Sequence, residues 1–209
     1  MPEPSRFWDR IAEKYAKQPV ADEAAYQRKL TVTRDYLHPD MEVLEFGCGT
    51  GSTALVHAPY VKHISAIDLS AKMIEIARGK AAAAEISNVT FEQLSIDELD
   101  APDHTYDAVL GLSILHLLRD MDGVIAKVLR MLKPGGVFVS STVCMGDTLM
   151  MAVIGRVVPI GRLFGLLPYV SVFTPDDLEA RLTGAGFEIE HRWQPGKGKA
   201  VFIVARKAA

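Results

Sequence analysis

Cysteine is scarce in this 209-residue chain, net charge is small, and no long apolar run is present; each absence closes off a class of protein. The two cysteines, Cys48 and Cys144, each lie close to an apolar strand-like run and have no Cys or His at metal-ligand spacing. That argues against a disulfide framework and against a zinc site, and leaves no metal ligand set to assign. Acidic residues (26) exceed basic ones (23), giving a formal charge of −3, so general nucleic-acid binding is not expected. Charge-free runs such as Leu163 to Pro175, 13 residues, fall short of the roughly 20 needed to span a bilayer, so no transmembrane helix is expected. Peripheral membrane contact stays open. The first ten residues, Met-Pro-Glu-Pro-Ser-Arg-Phe-Trp-Asp-Arg, lack an apolar core segment, which argues against a secretory signal and for a cytoplasmic protein. No internal repeat is visible, and no pattern speaks to oligomeric state.

What is present is a hydrophobic fraction of 49% against 23% charged residues. A chain of this length buries roughly 70% of its unfolded surface, enough for one substantial core, so residues 1–209 read as one α/β domain. Phe7, Ile11 and Tyr15 recur at helical spacing, as do Tyr26 and Leu30, so residues 1–40 read as a helical cap closed by His38-Pro39-Asp40. From Met41 short apolar runs alternate with helical periods. The pattern predicts strands near 42–46, 63–67, 89–93, 107–112 and 136–142, and helices near 52–58, 71–85 and 121–132. Such alternation implies βαβ units and a parallel sheet across 41–144.

Residues 145–173 are strongly apolar but broken by Gly146, Gly155, Pro159, Gly161, Gly165 and Pro168, so they read as an insertion over one end of the sheet. A lid, core packing and a dimer contact are all consistent with that composition. Thr174-Pro175-Asp176-Asp177 starts a helix, opening the last region, 174–209. Two strands follow. Phe187, Ile189 and Trp193 alternate with charged residues, whereas Ala200 to Ala205 is continuously apolar. Only Gln194 to Lys199 separates them, and six residues cannot make the crossover of a dozen or more that parallel neighbours require. They should form an antiparallel hairpin with the later strand inside the sheet.

Val43-Leu44-Glu45-Phe46 runs into Gly47-Cys48-Gly49-Thr50-Gly51 and then a helix, so the glycines let the backbone turn tightly and approach a ligand. A dinucleotide fingerprint would need its last glycine where Ser52 stands, which weakens a nicotinamide reading. Twenty-one residues after Gly47, the run Ile64 to Ile67 ends in Asp68. There a carboxylate either accepts two hydrogen bonds from a ribose diol or caps a helix whose other candidate cap is Ser70.

Glu45-x-Gly47-x-Gly49-x-Gly51, Asp68-Leu69-Ser70-x-x-Met73, Tyr106-Asp107, Leu115-His116 and Leu132-Lys133-Pro134-Gly135-Gly136 resemble, in order and spacing, the motifs of class I S-adenosylmethionine-dependent methyltransferases. The resemblance runs from about Phe7 onward and is nearest to the small-molecule, ubiquinone-biosynthesis-like branch. It implies a doubly wound, Rossmann-like, seven-stranded sheet, mostly parallel with an antiparallel C-terminal hairpin, and helices on both faces. It also implies S-adenosyl-L-methionine as cofactor and S-adenosyl-L-homocysteine as product.

Roles follow by position. Glu45 would orient the loop and the methionyl amino group; Gly47, Cys48, Gly49, Thr50 and Gly51 would line the methionyl and ribose portions; Asp68 would hold the ribose hydroxyls. Leu69 and Met73 would pack on the adenine, and Gly111 would offer a backbone contact to the methionyl group. Ser95 stands where the family often has Asp, so the adenine amino contact would fall to a hydroxyl and backbone, with Ile96 supplying an N–H. Methyl transfer from a sulfonium needs alignment and desolvation more than acid-base help. His116 is the candidate base, and Tyr15 and Lys29 are cap residues placed to meet the methionyl carboxylate or the substrate. No Asp-Pro-Pro-Tyr or Asn-Pro-Pro-Tyr follows the fourth strand, which sets the chain apart from adenine and glutamine N-methyltransferases. The expected activity is methyl transfer to a small hydrophobic or amphipathic molecule. A cofactor-binding module acting through a partner protein is the alternative.

Overall fold

A computed structural model describes residues 4–148 and 169–209. Two helices lead: α1 (Pro4–Ala16) and α2 (Glu23–Arg34). Then β1 (Glu42–Phe46), α3 (Ser52–His57), β2 (His63–Asp68), α4 (Ala71–Ala83), β3 (Val89–Gln93) and β4 (Tyr106–Leu112) alternate. They are followed by α5 (Met121–Met131), β5 (Leu132–Val143), α6 (Pro175–Ala185), β6 (Phe187–Trp193) and β7 (Ala200–Lys207).

The sheet has seven strands in the order β3-β2-β1-β4-β5-β7-β6. Strands β1 to β5 pair in parallel, whereas β7 runs antiparallel to both β5 and β6. The hairpin expected from its short connection is therefore present, with β7 inside and β6 at the edge. All of β7 from Val201 to Ala205 is buried, as its unbroken apolar run requires. Helices cover both faces. Leu44, Phe46, Val109, Phe138 and Ile203 pack with Val124, Ile125 and Val128 of α5 and Leu178 and Leu182 of α6. On the other face Val43, Ala66, Leu110, Val139 and Phe202 pack with Ala54 of α3 and Ile74 and Ala77 of α4.

The caps follow their local chemistry. Ser70, the N-cap of α4, accepts a hydrogen bond from the Met73 N–H. Thr174 and Asp177 form a reciprocal capping box at α6, which ends on Gly186 in the left-handed conformation. No helix among the described residues is long and apolar enough to cross a membrane. Of the apolar stretch Met145 to Val172, residues 149–168 lie outside the described residues. Its described flanks meet: the Gly146 N–H donates to the Phe173 carbonyl (2.8 Å), and the Ser171 N–H to the His116 carbonyl (2.8 Å).

Candidate active site

Strand order reverses between β1 and β4, so their carboxyl ends part and leave a crevice, the usual place for a ligand in an open α/β sheet. The Gly47–Gly51 loop leaves β1 at this edge. The Cys48 N–H donates to the Ile67 carbonyl (3.0 Å), tying the loop to the end of β2, and the Gly51 N–H closes a turn on the Cys48 carbonyl (3.0 Å). Gly47, Gly49 and Gly51 all have positive φ. The first and last are crowded as well: a Cβ on Gly47 would lie 2.7 Å from Ile114, and one on Gly51 2.7 Å from Phe91. Gly49 differs, because its Cβ direction is open except for the Tyr15 ring at 4.0 Å. A cradle is left there, roofed by α1.

Asp68 ends β2 and turns into this cradle. Its Oδ2 accepts from the Gly49 N–H and its Oδ1 from the Ser70 N–H, both at 2.9 Å. Each oxygen keeps a second acceptor site, spaced for the two hydroxyls of a diol. Ser70, not Asp68, caps α4 through its side chain. Burial raises the Asp68 carboxyl above its ordinary range, opposed by those two backbone N–H groups.

Glu45 is 3% exposed, and its Oε2 has no hydrogen-bond partner among the described residues. Burial, and then the neighbouring Asp68, push its carboxyl up to about 8. A buried acid without a partner is costly unless a donor or cation comes to meet it. Cys48 is buried beside these carboxylates, and burial, Glu45 and Asp68 lift its thiol well above the ordinary range, so it is an inert thiol. The Thr50 hydroxyl accepts from Lys80 Nζ (2.9 Å), which also reaches Ser52 Oγ (3.0 Å).

The remaining candidates divide. Tyr15 comes to the site: although 46% exposed, its phenol is raised by burial and by the nearby Asp68 and Tyr26. Lys29 sits one helical turn beyond Tyr26 on α2; burial lowers its ammonium, against the pull of Asp22. Leu69 is half-buried and Met73 fully buried. His116 lies in a 3₁₀ turn (Leu115–Leu117) after β4. Its Nδ1 is buried without a partner among the described residues, and burial lowers the ring to about 4, so the imidazole is neutral near pH 7. Just before it, Ser113 holds a positive φ of 60° and donates to the Ser141 carbonyl (2.6 Å). Positive φ is uncommon for serine and tends to cluster at functional sites.

Gly111 lies inside β4, and its missing Cβ serves packing: a methyl there would lie 2.6 Å from Phe46 and 3.1 Å from Phe138. The Ser95 hydroxyl donates to Glu98 Oε2 (2.8 Å), and the Ile96 carbonyl accepts from Lys127 Nζ (2.8 Å) with its side chain buried. The Ser-x-x-Glu spacing of 95–98 is a capping-box signal legible in the sequence. Residues that sequence patterns did not single out are Asp9 and Lys80, whose partners lie 61 and 30 positions away.

The site fits S-adenosylmethionine. Glu45, with its buried Oε2 unmatched among the described residues, would suit an ammonium group, Asp68 would offer two acceptors to a ribose diol, and Gly49 leaves open space. Residues 37–158 match the family model described as a methyltransferase domain. An uncharacterized methyltransferase, YcgJ of Bacillus subtilis, is 33% identical over 96 residues, 46% of this chain and 38% of that protein. The 27-O-demethylrifamycin SV methyltransferase of Amycolatopsis mediterranei is 32% identical over 157 residues, 71% of this chain and 54% of that protein. In both cases the chain spans about half or less of its relative's length. The crystal structure of YcgJ superposes with a TM-score of 0.72 at 19% identity, covering 88% of this chain and 99% of that one, a likeness of fold. With more than half of its length matched by the family model, the chain belongs to the methyltransferase-domain family, in the class I S-adenosylmethionine-dependent group.

Proposed function

We propose that this protein transfers a methyl group from S-adenosylmethionine to a small hydrophobic or amphipathic molecule. The observation that carries the reading is the pairing, at one switch point, of Glu45, whose buried Oε2 has no partner among the described residues, with the two-pronged Asp68 carboxylate around the open face of Gly49. When bound, the cofactor supplies an S-methyl sulfonium whose departing thioether is neutral, so no acid is needed for the leaving group. Glu45 would hold the amino group, Asp68 the ribose hydroxyls, and the loop amides the remainder. Tyr15 roofs the loop and restricts water there. Neutral His116 would offer a ring nitrogen as a proton acceptor. A hydroxyl that gains a methyl group becomes a strongly acidic oxonium, so an imidazole lowered to about 4 suffices to take its proton.

Support for the acceptor class comes from two directions. Met145 to Val172 is rich in Met, Leu and Val with Arg156 and Arg162 as its only cations, and of its described flanks Gly146 bonds Phe173 and Ser171 bonds His116. A relative named for 27-O-demethylrifamycin SV shows one small-molecule acceptor in the family. The test is transfer of a labelled methyl group to fractionated metabolite extracts. Label should enter products that partition into organic solvent. Label confined to polar products would overturn the acceptor class, and cofactor binding without any transfer would overturn the activity.

A further inference from the structure

The cap helix is fastened to the cofactor carboxylate through one side chain that the mechanism above does not use. Asp9 sits mid-way along α1, and its Oδ1 accepts the Ser70 hydroxyl proton at 2.6 Å and the Lys72 N–H at 3.1 Å. Ser70 in turn gives its N–H to Asp68 Oδ1 and accepts the Met73 N–H on Oγ (3.2 Å). Asp68 Oδ2 takes the Gly49 N–H. One unbroken series of hydrogen bonds therefore runs from α1, through the first turn of α4 and the end of β2, to the open loop. Two carboxylates, Asp9 and Asp68, share the N-terminal end of α4, where the exposed N–H groups and helix dipole stabilise negative charge.

Six residues on, about 9 Å along the helix axis, α1 places Tyr15 over Gly49. Asp9 belongs to neither hydrophobic core, so its contacts bear on where α1 sits and not on whether the sheet folds. We propose that Asp9 is a positioning residue: it latches the cap helix to Ser70 so that Tyr15 closes the cofactor cradle, and releasing the latch opens the cradle for cofactor exchange. This rests on the cofactor reading of the site.

The test measures S-adenosylhomocysteine binding and release for the wild type, Asp9→Ala, Asp9→Asn, Tyr15→Ala and the Asp9→Ala/Tyr15→Ala double variant. Asp9→Ala should raise the dissociation constant roughly tenfold, the scale of a lost charge-assisted hydrogen bond, mainly through faster release. Asp9→Asn keeps an acceptor oxygen toward Ser70 and should recover most of the loss. In the Tyr15→Ala background Asp9→Ala should add nothing, because both act through one closure. Without ligand, trypsin should cut at Lys14 and Lys17 faster in Asp9→Ala, with the melting transition of the sheet unchanged. An unchanged dissociation constant, full additivity with Tyr15→Ala, no rescue by Asn, or an Asp9→Ala chain that fails to fold each overturns the latch. A wild-type chain that does not bind S-adenosylhomocysteine overturns the cofactor reading and the latch with it, which separates the two failures.

Discussion

Glu45 should make the ligand-free protein less stable as pH rises through neutrality. Its carboxyl stands near 8 in the folded chain against an ordinary 4.5, because burial and Asp68 disfavour the charged form. A raised carboxyl contributes stability that is fully present below about pH 4.5 and is lost as pH climbs toward 8. Between those limits the unfolded chain has given up the proton and the folded chain still holds it. The slope is about 1.4 kcal/mol per pH unit, so roughly 2–3 kcal/mol separates pH 5 from pH 7 on this account. Glu45→Gln keeps the shape and removes the titration. Urea unfolding at half-unit steps from pH 5 to 8 should show the wild type losing stability relative to Glu45→Gln by that amount. Binding of a cationic group beside Glu45 should then expel its proton. Calorimetry of S-adenosylmethionine at pH 7 in two buffers of different ionisation enthalpy should report proton release approaching one for the wild type, beyond whatever Glu45→Gln shows. Parallel stability curves for the two proteins, or equal proton release, would refute the buried, unmatched acid.

Three further outcomes follow from the same geometry. Gly49→Val should abolish detectable cofactor binding, since its side chain fills the open cradle, while destabilising the fold by only about 1–2 kcal/mol for the left-handed backbone; calorimetry and thermal melts check both. Gly111→Ala should behave oppositely, costing about 1–3 kcal/mol through its clash with Phe46 in urea titrations yet leaving binding intact. His116→Ala should lower the transfer rate by roughly 10²-fold without changing cofactor affinity, and His116, already neutral above about pH 5, should contribute no rise in rate between pH 6 and 8.

The sequence was most readable where chemistry and spacing admit few solutions. Six residues between Trp193 and Ala200 allow only a hairpin, and an unbroken apolar run from Ala200 to Ala205 requires a strand covered on both sides. Loop glycines followed by Asp68 at the end of an apolar run placed both at the sheet's carboxyl edge, where they are found. The packing role of Gly111 was not legible, because a glycine near the end of an apolar strand looks the same whether or not a ring such as Phe46 fills the space beside it. Asp9 was invisible for another reason. On a charged, amphipathic helix nothing local distinguishes the acid that meets Ser70 from one that meets water, and the contact spans 61 residues. Ser95 did carry a local signal in Glu98, three residues on, and the two are found hydrogen-bonded.

The central claim, that the crevice between β1 and β4 is an S-adenosylmethionine site, is tested most directly by titrating S-adenosylhomocysteine into wild-type protein and Asp68→Ala. The ribose diol held by Asp68 should account for about 1.5–3 kcal/mol, so the variant should bind about ten- to a hundredfold more weakly. Equal affinity of the two proteins, or no binding by the wild type, would contradict the account.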